Sequence, residues 1–322
     1  MIEIATIIVP FFGLVGLGYF AARQLGIGAE GTAGLNLFVF YFAMPALFFR
    51  LVSETPFASL SGWSFVVTTT FSTYCAFAIA FSFGALINRG NIAESTIQGL
   101  VGSYSNAVAM APGLVLAAFG TAAAAPMALI FAFDNAMLFT LVPLMMALGG
   151  SERESGAALA KAIGRRIALH PLIIATVLGL LAALVGFRAP APIDGILVFL
   201  SDAAAPVALF VLGVTLAQKR LERPPYEVPV LVLVKLVVHP LIVYLLLSWI
   251  GGFDPVWIGA AVLMAALPPA ANVFVIARRY DTYAASASAG ILFGTIASAV
   301  TVTLVLWMLL DDIRAVGAVG AA

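Results

Sequence analysis

Charge is scarce in this chain. Only 9% of its 322 residues are charged and 63% are hydrophobic, whereas a soluble domain carries roughly 25% charged residues. This composition predicts an integral membrane protein whose first partner is the lipid bilayer. Basic and acidic residues balance at 15 each, so no excess of positive charge points to a nucleic-acid partner.

Cysteine, histidine and catalytic motifs are also scarce. Cys75 is the single cysteine, which excludes an intrachain disulfide and argues against a thiolate metal site. The two histidines, His170 and His239, each precede a proline, which indicates helix-entry or kink positions, and a third clustered zinc ligand is absent. No nucleophile constellation, Walker loop or dinucleotide fingerprint appears. We therefore predict no enzyme, no metal site and no cofactor, with H⁺ or Na⁺ only as a coupling ion.

Long apolar runs are abundant. They predict ten transmembrane helices rather than a β-barrel, because they lack the alternation of membrane strands. The predicted spans are Ile4–Ala22, Leu35–Val52, Leu60–Ile87, Ser95–Ala118, Ala123–Leu148, Ala162–Val185, Gly195–Ala217, Val228–Ile250, Val256–Ile276 and Ala284–Leu310.

The two halves of the chain repeat. A shift of 161 residues, half the length of the chain, superposes Pro10/Pro171, Gly18/Gly179, Ala43/Ala204, Pro45/Pro206 and Phe49/Phe210. Five spans is an odd number, so the second half enters the membrane with opposite polarity, as in many secondary transporters. We predict a first five-helix repeat over 1–148, a short cytoplasmic linker over 149–161, and an inverted second repeat over 162–322.

Basic residues indicate the orientation. Eleven of the fifteen lie in odd-numbered connections: Arg23, Arg89, Arg153, Lys161, Arg165, Arg166, Lys219, Arg220, Arg223, Arg278 and Arg279. The positive-inside rule then places both termini on the non-cytoplasmic side of the cell inner (plasma) membrane.

Helix breakers and carboxamides interrupt the fourth and ninth spans. The residues concerned are Ser105, Asn106 and Pro112 in the fourth, and Pro268, Pro269 and Asn272 in the ninth. Because proline lacks an amide hydrogen and clashes with the preceding turn, each helix is expected to kink or unwind. Broken helices at matching places in two halves are typical of a transporter site, where half-helix N-termini offer amides to an anion. We predict that helices 4 and 9 cross at the midplane and that these six residues bind substrate; ordinary proline kinks are the alternative.

Ionisable residues inside predicted spans are candidates for function, because charge is costly there. Asp134 is in the fifth span, and Lys235 and His239 are four residues apart on one face of the eighth. We predict that they form a coupling site or proton relay, with an Asp134–Lys235 ion pair that mimics a bound cation or exchanges a proton. A buried structural pair, or a Lys235 side chain that snorkels to the interface, is the alternative.

Four motifs resemble the auxin efflux carrier family. They are Phe40–Phe48 (FYFAMPALF), Ala205–Gly213 (APVALFVLG), Lys235–Pro240 (KLVVHP) and Ala266–Ala277 (ALPPAANVFVIA). The resemblance implies a ten-helix fold of the bile-acid/arsenite/auxin type. It further implies a scaffold of helices 1, 2, 6 and 7, a transport domain of helices 3–5 and 8–10, and a homodimer through the scaffold. The third span is uncharged and the central loop is short, unlike in plant members, so the chain looks more like bacterial malonate/malate permeases.

Together these features predict a secondary active transporter of a small organic anion. Malonate, malate or a similar carboxylate is the expected substrate, with an auxin-like anion as a further option. Elevator-type alternating access and proton coupling are the predicted mechanism. The alternatives are a sodium-coupled symporter, an uncoupled exporter and a passive anion channel.

Overall fold

The computed structural model describes residues 2–55, 62–150, 156–218 and 224–315. Within these ranges the chain is helical apart from short connections and one isolated β-bridge. Seven helical stretches are long and apolar enough to cross a membrane. The prediction of an all-α integral membrane protein is therefore confirmed.

The helices are α1 Ile2–Leu25, α2 Ala29–Phe38, α3 Met44–Glu54, α4 Trp63–Ile87, α5 Ile92–Ser103, α6 Ala107–Phe119, α7 Ala124–Leu148, α8 Gly156–Ala168, α9 Pro171–Val185, α10 Ala191–Ala217, α11 Val228–Leu233, α12 His239–Ile250, α13 Pro255–Ala266, α14 Asn272–Arg279 and α15 Ala284–Ala315. Five-residue π-helices join α2 to α3 (Val39–Ala43) and α11 to α12 (Val234–Val238). The predicted start of span three at Leu60, residues 151–155 of the linker, and four of the basic residues (Arg153, Lys219, Arg220 and Arg223) lie outside the described residues.

Each π-helix stands directly before a residue–proline pair. Met44-Pro45 follows the first and His239-Pro240 follows the second. Proline provides no amide for the helical ladder and its ring presses on the preceding turn, which a wider π turn accommodates. Both helices therefore continue past a proline as single membrane-length stretches.

The seven long stretches correspond to predicted spans one, two, three, five, seven, eight and ten, whereas spans four, six and nine are each divided. For span six, the prediction of one continuous helix is wrong. α8 ends at Ala168, and α9 begins at Pro171 with His170 as its N-cap in an extended conformation. The cause is local, because a residue that precedes proline is pushed away from helical angles. His170 is thus a helix-entry residue, as predicted.

The interruption in span four lies at residues 104–106 rather than at Pro112. α5 ends at Ser103, and α6 runs from Ala107 through Pro112 to Phe119. Pro112 removes a single helical hydrogen bond, a loss that neighbouring turns tolerate in membrane helices. In span nine, the non-helical segment contains Pro268 and Pro269, between the end of α13 and the start of α14.

The chain divides into two compact units by its internal contacts. Unit 1 comprises Met1–Trp63, Val108–Ala132 and Ala168–Arg220, and unit 2 comprises Ser64–Ala107, Phe133–Ile167 and Leu221–Ala322. Unit 1 thus contains α1–α3, α9 and α10, together with nearly all of α6 and the first part of α7. Unit 2 contains α4, α5, nearly all of α8 and α11–α15, together with the second part of α7.

Unit 1 is held together by close approaches between helix backbones at glycines. A Cβ atom on Gly18 of α1 would lie 2.0 Å from the carbonyl oxygen of Phe210 in α10. A Cβ atom on Gly179 of α9 would lie 2.9 Å from the carbonyl oxygen of Phe49 in α3. The half-length shift pairs these same residues, Gly18 with Gly179 and Phe49 with Phe210. Small residues allow such packing in membranes, where apolar side chains gain little from leaving lipid.

Unit 2 is built around α5 and α13. In α5, ten of twelve residues are buried, and Ile97, Leu100 and Val101 have no exposed surface. In α13, nine of twelve are buried. A helix that is buried on all sides lies in the centre of a bundle. Both central helices of unit 2 are therefore half-length helices that end inside the protein.

Candidate functional site

The two central half-helices of unit 2 each begin with a side-chain cap. The Asn91 side chain accepts a hydrogen bond from the backbone amide of Glu94 at 3.2 Å, which caps α5. The Asp254 carboxylate accepts one from the amide of Val256 at 2.8 Å, which caps α13. Capping satisfies amides that the first turn leaves without helical partners. The C-terminal ends of both helices, where the last carbonyl groups lack partners within the helix, then face the interior.

The two interruptions pair with each other. The backbone amide of Asn106 donates to the carbonyl of Pro268 at 2.8 Å, and the amide of Ala270 donates to the carbonyl of Tyr104 at 3.0 Å. Together they form an antiparallel bridge between Ser105 and Pro269. Non-helical backbone at membrane depth is tolerated only where such partners exist. We call this region, residues 104–106 and 267–272, the crossing; it includes Asn272, the first residue of α14.

Two carboxamide atoms at the crossing are buried without a hydrogen-bond partner among the described residues. They are Nδ2 of Asn106, at the end of the first interruption, and Oδ1 of Asn272, the first residue of α14. Asn106 as a whole is only 5% exposed. An unpaired buried polar atom costs about 1–3 kcal/mol, and both of these atoms lie beside a helix N-terminus, that of α6 or that of α14.

A tyrosine hydroxyl connects the crossing to α7. Tyr104 donates from its hydroxyl to Oδ1 of Asn135 at 3.0 Å, and both residues are buried. The carboxamide of Asn272 is within hydrogen-bonding reach of the same hydroxyl. The sequence does not predict this link, although Asn135 directly follows Asp134 and Tyr104 directly precedes Ser105.

The predicted relay residues come together in unit 2, with a threonine between them. Nζ of Lys235 lies 3.2 Å from Nδ1 of His239, and Nε2 of His239 lies 3.4 Å from Oγ1 of Thr73. Oγ1 of Thr73 also lies 3.3 Å from Oδ1 of Asp134. With Nε2 of His239 carrying the ring proton, Lys235 donates to His239 and His239 donates to Thr73. The single hydroxyl proton of Thr73 is shared between the Asp134 carboxylate and the Thr69 carbonyl. We call these four residues the buried relay.

Asp134 and Lys235 form no direct salt bridge, although both lie in the buried relay. Within the described residues, ion pairs closer than 4.0 Å involve Arg50, with Glu54 at 3.1 Å and Asp194 at 3.6 Å, and not Asp134 or Lys235. His239 and Thr73 stand between the two charges instead. Lys235 has no exposed surface, so it does not snorkel to the interface.

The Lys235 ammonium group donates to the backbone carbonyl of Ala265, the penultimate residue of α13. A positive charge is favourable at a helix C-terminus, where carbonyl groups lack helical partners and the helix dipole is negative. The relay thus ends three residues before Pro268, at the half-helix that leads into the crossing.

Thr73 is the relay residue that sequence analysis missed. A signal exists in the third span, where Thr69 and Thr73 are buried one turn apart on α4. Hydroxyls at this spacing usually bond to their own helix, as Thr73 does with the Thr69 carbonyl at 3.2 Å. Because a bond to its own helix already explains a buried threonine, the sequence does not predict the contacts of Thr73 with Asp134 and His239.

The remaining predicted site residues are placed as follows. Ser105 and Pro269 form the bridge of the crossing, and Pro268 accepts the Asn106 amide. Pro112 lies in unit 1, inside α6. The structure therefore brings five of the six predicted binding residues to one place in unit 2.

Outside the predicted spans, an acidic pair lies at the start of α5. Burial, followed by the nearby carboxylate of Glu227, raises the pKa of Glu94 above its usual value. Glu227 accepts a hydrogen bond from the hydroxyl of Tyr283 at 3.1 Å. This group belongs to the helix ends of unit 2 rather than to the crossing.

Comparison with known proteins supplies the family. The family described as "Membrane transport protein" matches residues 3–306. The chain belongs to this family of membrane transporters. The resemblance to auxin efflux carriers is thereby confirmed, as is the prediction that the protein is a transporter and not an enzyme.

Several relatives of this transporter match over nearly their whole length. A protein of Rhizobium meliloti (strain 1021) named "Putative malonate transporter" is 46% identical over 309 residues, 96% of this chain and 97% of the relative. "Auxin efflux carrier component 8" of Arabidopsis thaliana is 24% identical over 360 residues, 96% of this chain and 98% of the relative. "Uncharacterized transporter YfdV" of Escherichia coli (strain K12) is 26% identical over 306 residues, 92% and 95% of the two chains.

Proposed function

We propose that this transporter carries a small organic anion, a malonate- or malate-like carboxylate, and binds it at the crossing. The observation that supports this most strongly is the pair of unpaired carboxamide atoms on Asn106 and Asn272. A carboxylate accepts hydrogen bonds readily from amide groups and from helix N-termini, and α6 and α14 both begin at this place. The name of the relative from Rhizobium meliloti, 46% identical, favours malonate.

The proposal includes an elevator-type cycle in which unit 2 is the transport domain and unit 1 the scaffold. Unit 2 contains the crossing and the buried relay. Unit 1 contains the glycine-mediated helix pairs. The two equivalent contacts, Gly18 with Phe210 and Gly179 with Phe49, support an inverted repeat of ten spans. In this proposal the protein lies in the plasma membrane with both termini outside the cytoplasm. It forms a homodimer through spans 1, 2, 6 and 7.

Proton coupling through the buried relay is the proposed driving mechanism. Every member from Lys235 to Asp134 can donate to the next, so a proton shift along the series would neutralise both ends. The Lys235 ammonium group already donates to a backbone carbonyl at the C-terminal end of α13. Such carbonyl oxygens are the ligands that a sodium ion would need, so this contact favours proton coupling over sodium coupling. Sodium symport stays the second candidate, because Oδ1 of Asn272 is an unpaired oxygen.

The deciding experiment is uptake into proteoliposomes of radiolabelled malonate, malate and indole-acetate, with pH and sodium gradients imposed separately. We expect saturable malonate uptake driven by an inward proton gradient and indifferent to sodium. Asn106→Ala and Asn272→Ala should each abolish uptake while the protein still folds and inserts. Asn36→Ala, which changes a carboxamide in α2 of unit 1, is the matched control and should transport normally. Near-normal uptake by both crossing variants would remove the crossing as the binding site.

A further inference from the structure

The two unpaired atoms at the crossing are of opposite kinds. Nδ2 of Asn106 is a hydrogen-bond donor, whereas Oδ1 of Asn272 is an acceptor. A site for a fully ionised dicarboxylate should offer donors only, because a carboxylate has no proton to give. The pair therefore indicates which hydrogen-bonding groups the ligand carries, in addition to its charge.

The orientation of the Asn272 carboxamide follows from its neighbours. The Tyr104 hydroxyl has one proton, and it donates that proton to Oδ1 of Asn135 at 3.0 Å. The same hydroxyl can then only accept from Asn272, which must present its Nδ2 to Tyr104. Its Oδ1 is left as the unpaired atom. The Tyr104–Asn135 bond thus favours the orientation of the Asn272 carboxamide in which Oδ1 is the unpaired atom.

A fully ionised dicarboxylate would satisfy Asn106 and leave the oxygen of Asn272 facing further oxygen lone pairs. An acceptor that is buried without a donor is penalised strongly, and a site built for a donor rejects analogues that lack one. A ligand that carries one acceptor group and one O–H or N–H group satisfies both atoms.

We propose, on the basis of the function proposed above, that the crossing selects a carboxylate that brings its own hydrogen-bond donor. The carboxylate accepts from Nδ2 of Asn106, and the donor group binds Oδ1 of Asn272. In a dicarboxylate the donor is the second carboxyl group in its protonated form, so the monoanion is carried. In a hydroxy acid the donor is the hydroxyl. A proton carried in this way accompanies the substrate and is separate from the buried relay.

Titratable side chains of unit 2 surround the crossing from several elements. They are Tyr104 after α5, Asp134 on α7, Lys235 on the second π-helix and His239 at the start of α12. A pH profile alone would mix their ionisation with that of the ligand. The test therefore rests on two ligands of equal charge compared at one pH.

The test compares malonamate with monomethyl malonate as competitors of radiolabelled malonate uptake at pH 7. Both are monoanions of similar size, but malonamate carries an amide N–H donor and the ester carries none. We expect malonamate to compete at least about tenfold more tightly, the order of the penalty for an unpaired buried acceptor. In Asn272→Leu the ratio should fall towards one. In Asn106→Leu both competitors should weaken, with the ratio preserved.

A second arm distinguishes the two sources of the donor. Acidification should strengthen malonate competition by about tenfold per pH unit above the second pKa of malonate. Acidification should not strengthen competition by a hydroxy acid such as lactate. Malonamate, whose charge is constant in this pH range, is measured beside both as the reference. The ratio of the competition strengths of malonate and malonamate at each pH removes effects that come from titration of the protein itself.

The outcomes separate this inference from the proposed function. Equal competition by malonamate and monomethyl malonate in the unmodified transporter, or tighter binding of malonate as pH rises, overturns the donor requirement while malonate transport stands. An absence of uptake for malonate and malate would instead reject the proposed function. Because the ligand pair is decisive in the unmodified protein, the inference remains testable if Asn272→Leu fails to fold.

Discussion

Unit 1 and unit 2 bury very different amounts of polar material. Of nineteen buried polar or charged residues in the described parts of the chain, two lie in unit 1 and seventeen in unit 2. The two in unit 1 are Thr32 and Ser201. Unit 2 holds Asp134, Lys235 and His239, which have at most 7% of their surface exposed.

The difference indicates that unit 1 is built mainly for close helix packing, whereas unit 2 contains the polar groups suited to a chemical task. A membrane protein gains stability from close backbone packing at small residues, and unit 1 uses this method through Gly18, Gly179 and Gly213. Polar groups inside a membrane are costly and persist mainly where they have a task. The concentration of such groups in unit 2 is therefore the reason to place substrate binding and coupling there.

The largest effect should come from bulk added to the packing of unit 1. A Cβ atom on Gly213 would lie 1.9 Å from the carbonyl oxygen of Val15, so Gly213→Ala forces α1 and α10 apart. We expect a destabilisation of about 3 kcal/mol or more and loss of monodisperse protein in size-exclusion chromatography. Gly195→Ala lies on the same helix, and a Cβ atom there meets nothing within 4 Å. This variant should have the stability and the elution profile of the unmodified protein. A well-behaved Gly213→Ala protein would contradict the role of backbone contact in unit 1.

The next effect concerns the buried acid of unit 2. Asp134→Asn keeps an oxygen for the Thr73 hydroxyl but removes the group that exchanges a proton. The protein should fold, and malonate uptake should lose its response to an imposed pH gradient. Asp202→Asn, which changes an exposed carboxylate on α10 of unit 1, should keep that response. An unaltered response in Asp134→Asn would move coupling away from the buried relay.

A moderate effect is expected where α15 supports the crossing. A Cβ atom on Gly294 would lie 2.6 Å from Cδ of Pro269, part of a rigid ring, so Gly294→Ala must displace the crossing. A Cβ atom on Gly290, one turn earlier, would lie 2.8 Å from a methyl group of Val101, a core residue of α5 that is not part of the crossing. We expect Gly294→Ala to reduce the kcat/KM of uptake by about tenfold and Gly290→Ala to reduce it much less. Equal losses in the two variants would point to general packing of α15.

The smallest effect tests polar groups of unit 2 that lie at helix ends. Glu94 has a raised pKa because it is partly buried and faces the carboxylate of Glu227. The folded protein therefore loses stability as pH rises through the folded-state pKa of Glu94. Glu94→Gln keeps the cap contact with Asn91 and should stabilise by at most about 0.5 kcal/mol after solvent screening. Thermal unfolding at acidic and alkaline pH measures this gain, which should appear only on the alkaline side and leave transport unchanged.

Much of the helical layout follows from the sequence because long apolar runs must satisfy their own backbone in lipid. The seven continuous stretches were predictable for this reason. The division at His170-Pro171 was missed because hydropathy continues across it, although a residue before proline resists helical angles. The position of the interruption before α6 depends on hydrogen bonds between Asn106 and Pro268, and no local pattern reveals such a distant partner.

The candidate site was predictable to a similar extent. Asn106 and Asn272 stand out as carboxamides beside helix breakers, and Asp134, Lys235 and His239 stand out as charges in apolar spans. Thr73 and Asn135 do not stand out, because hydroxyl and amide side chains are common in membrane helices and are usually satisfied by their own backbone. The contacts of Thr73 arise only when α4, α7 and α12 pack together, and the contact of Asn135 arises only when α7 packs against the end of α5.

The antiparallel bridge between Ser105 and Pro269 has a consequence for local opening. The amides of Asn106 and Ala270 lie outside any helix, yet each is bonded to the opposite interruption. Neither bond can open alone without straining the other, so both protons should exchange with solvent deuterium slowly and at one shared rate. Helices α5 and α13 would then unfold as one cooperative element, in which the crossing is the last part to open.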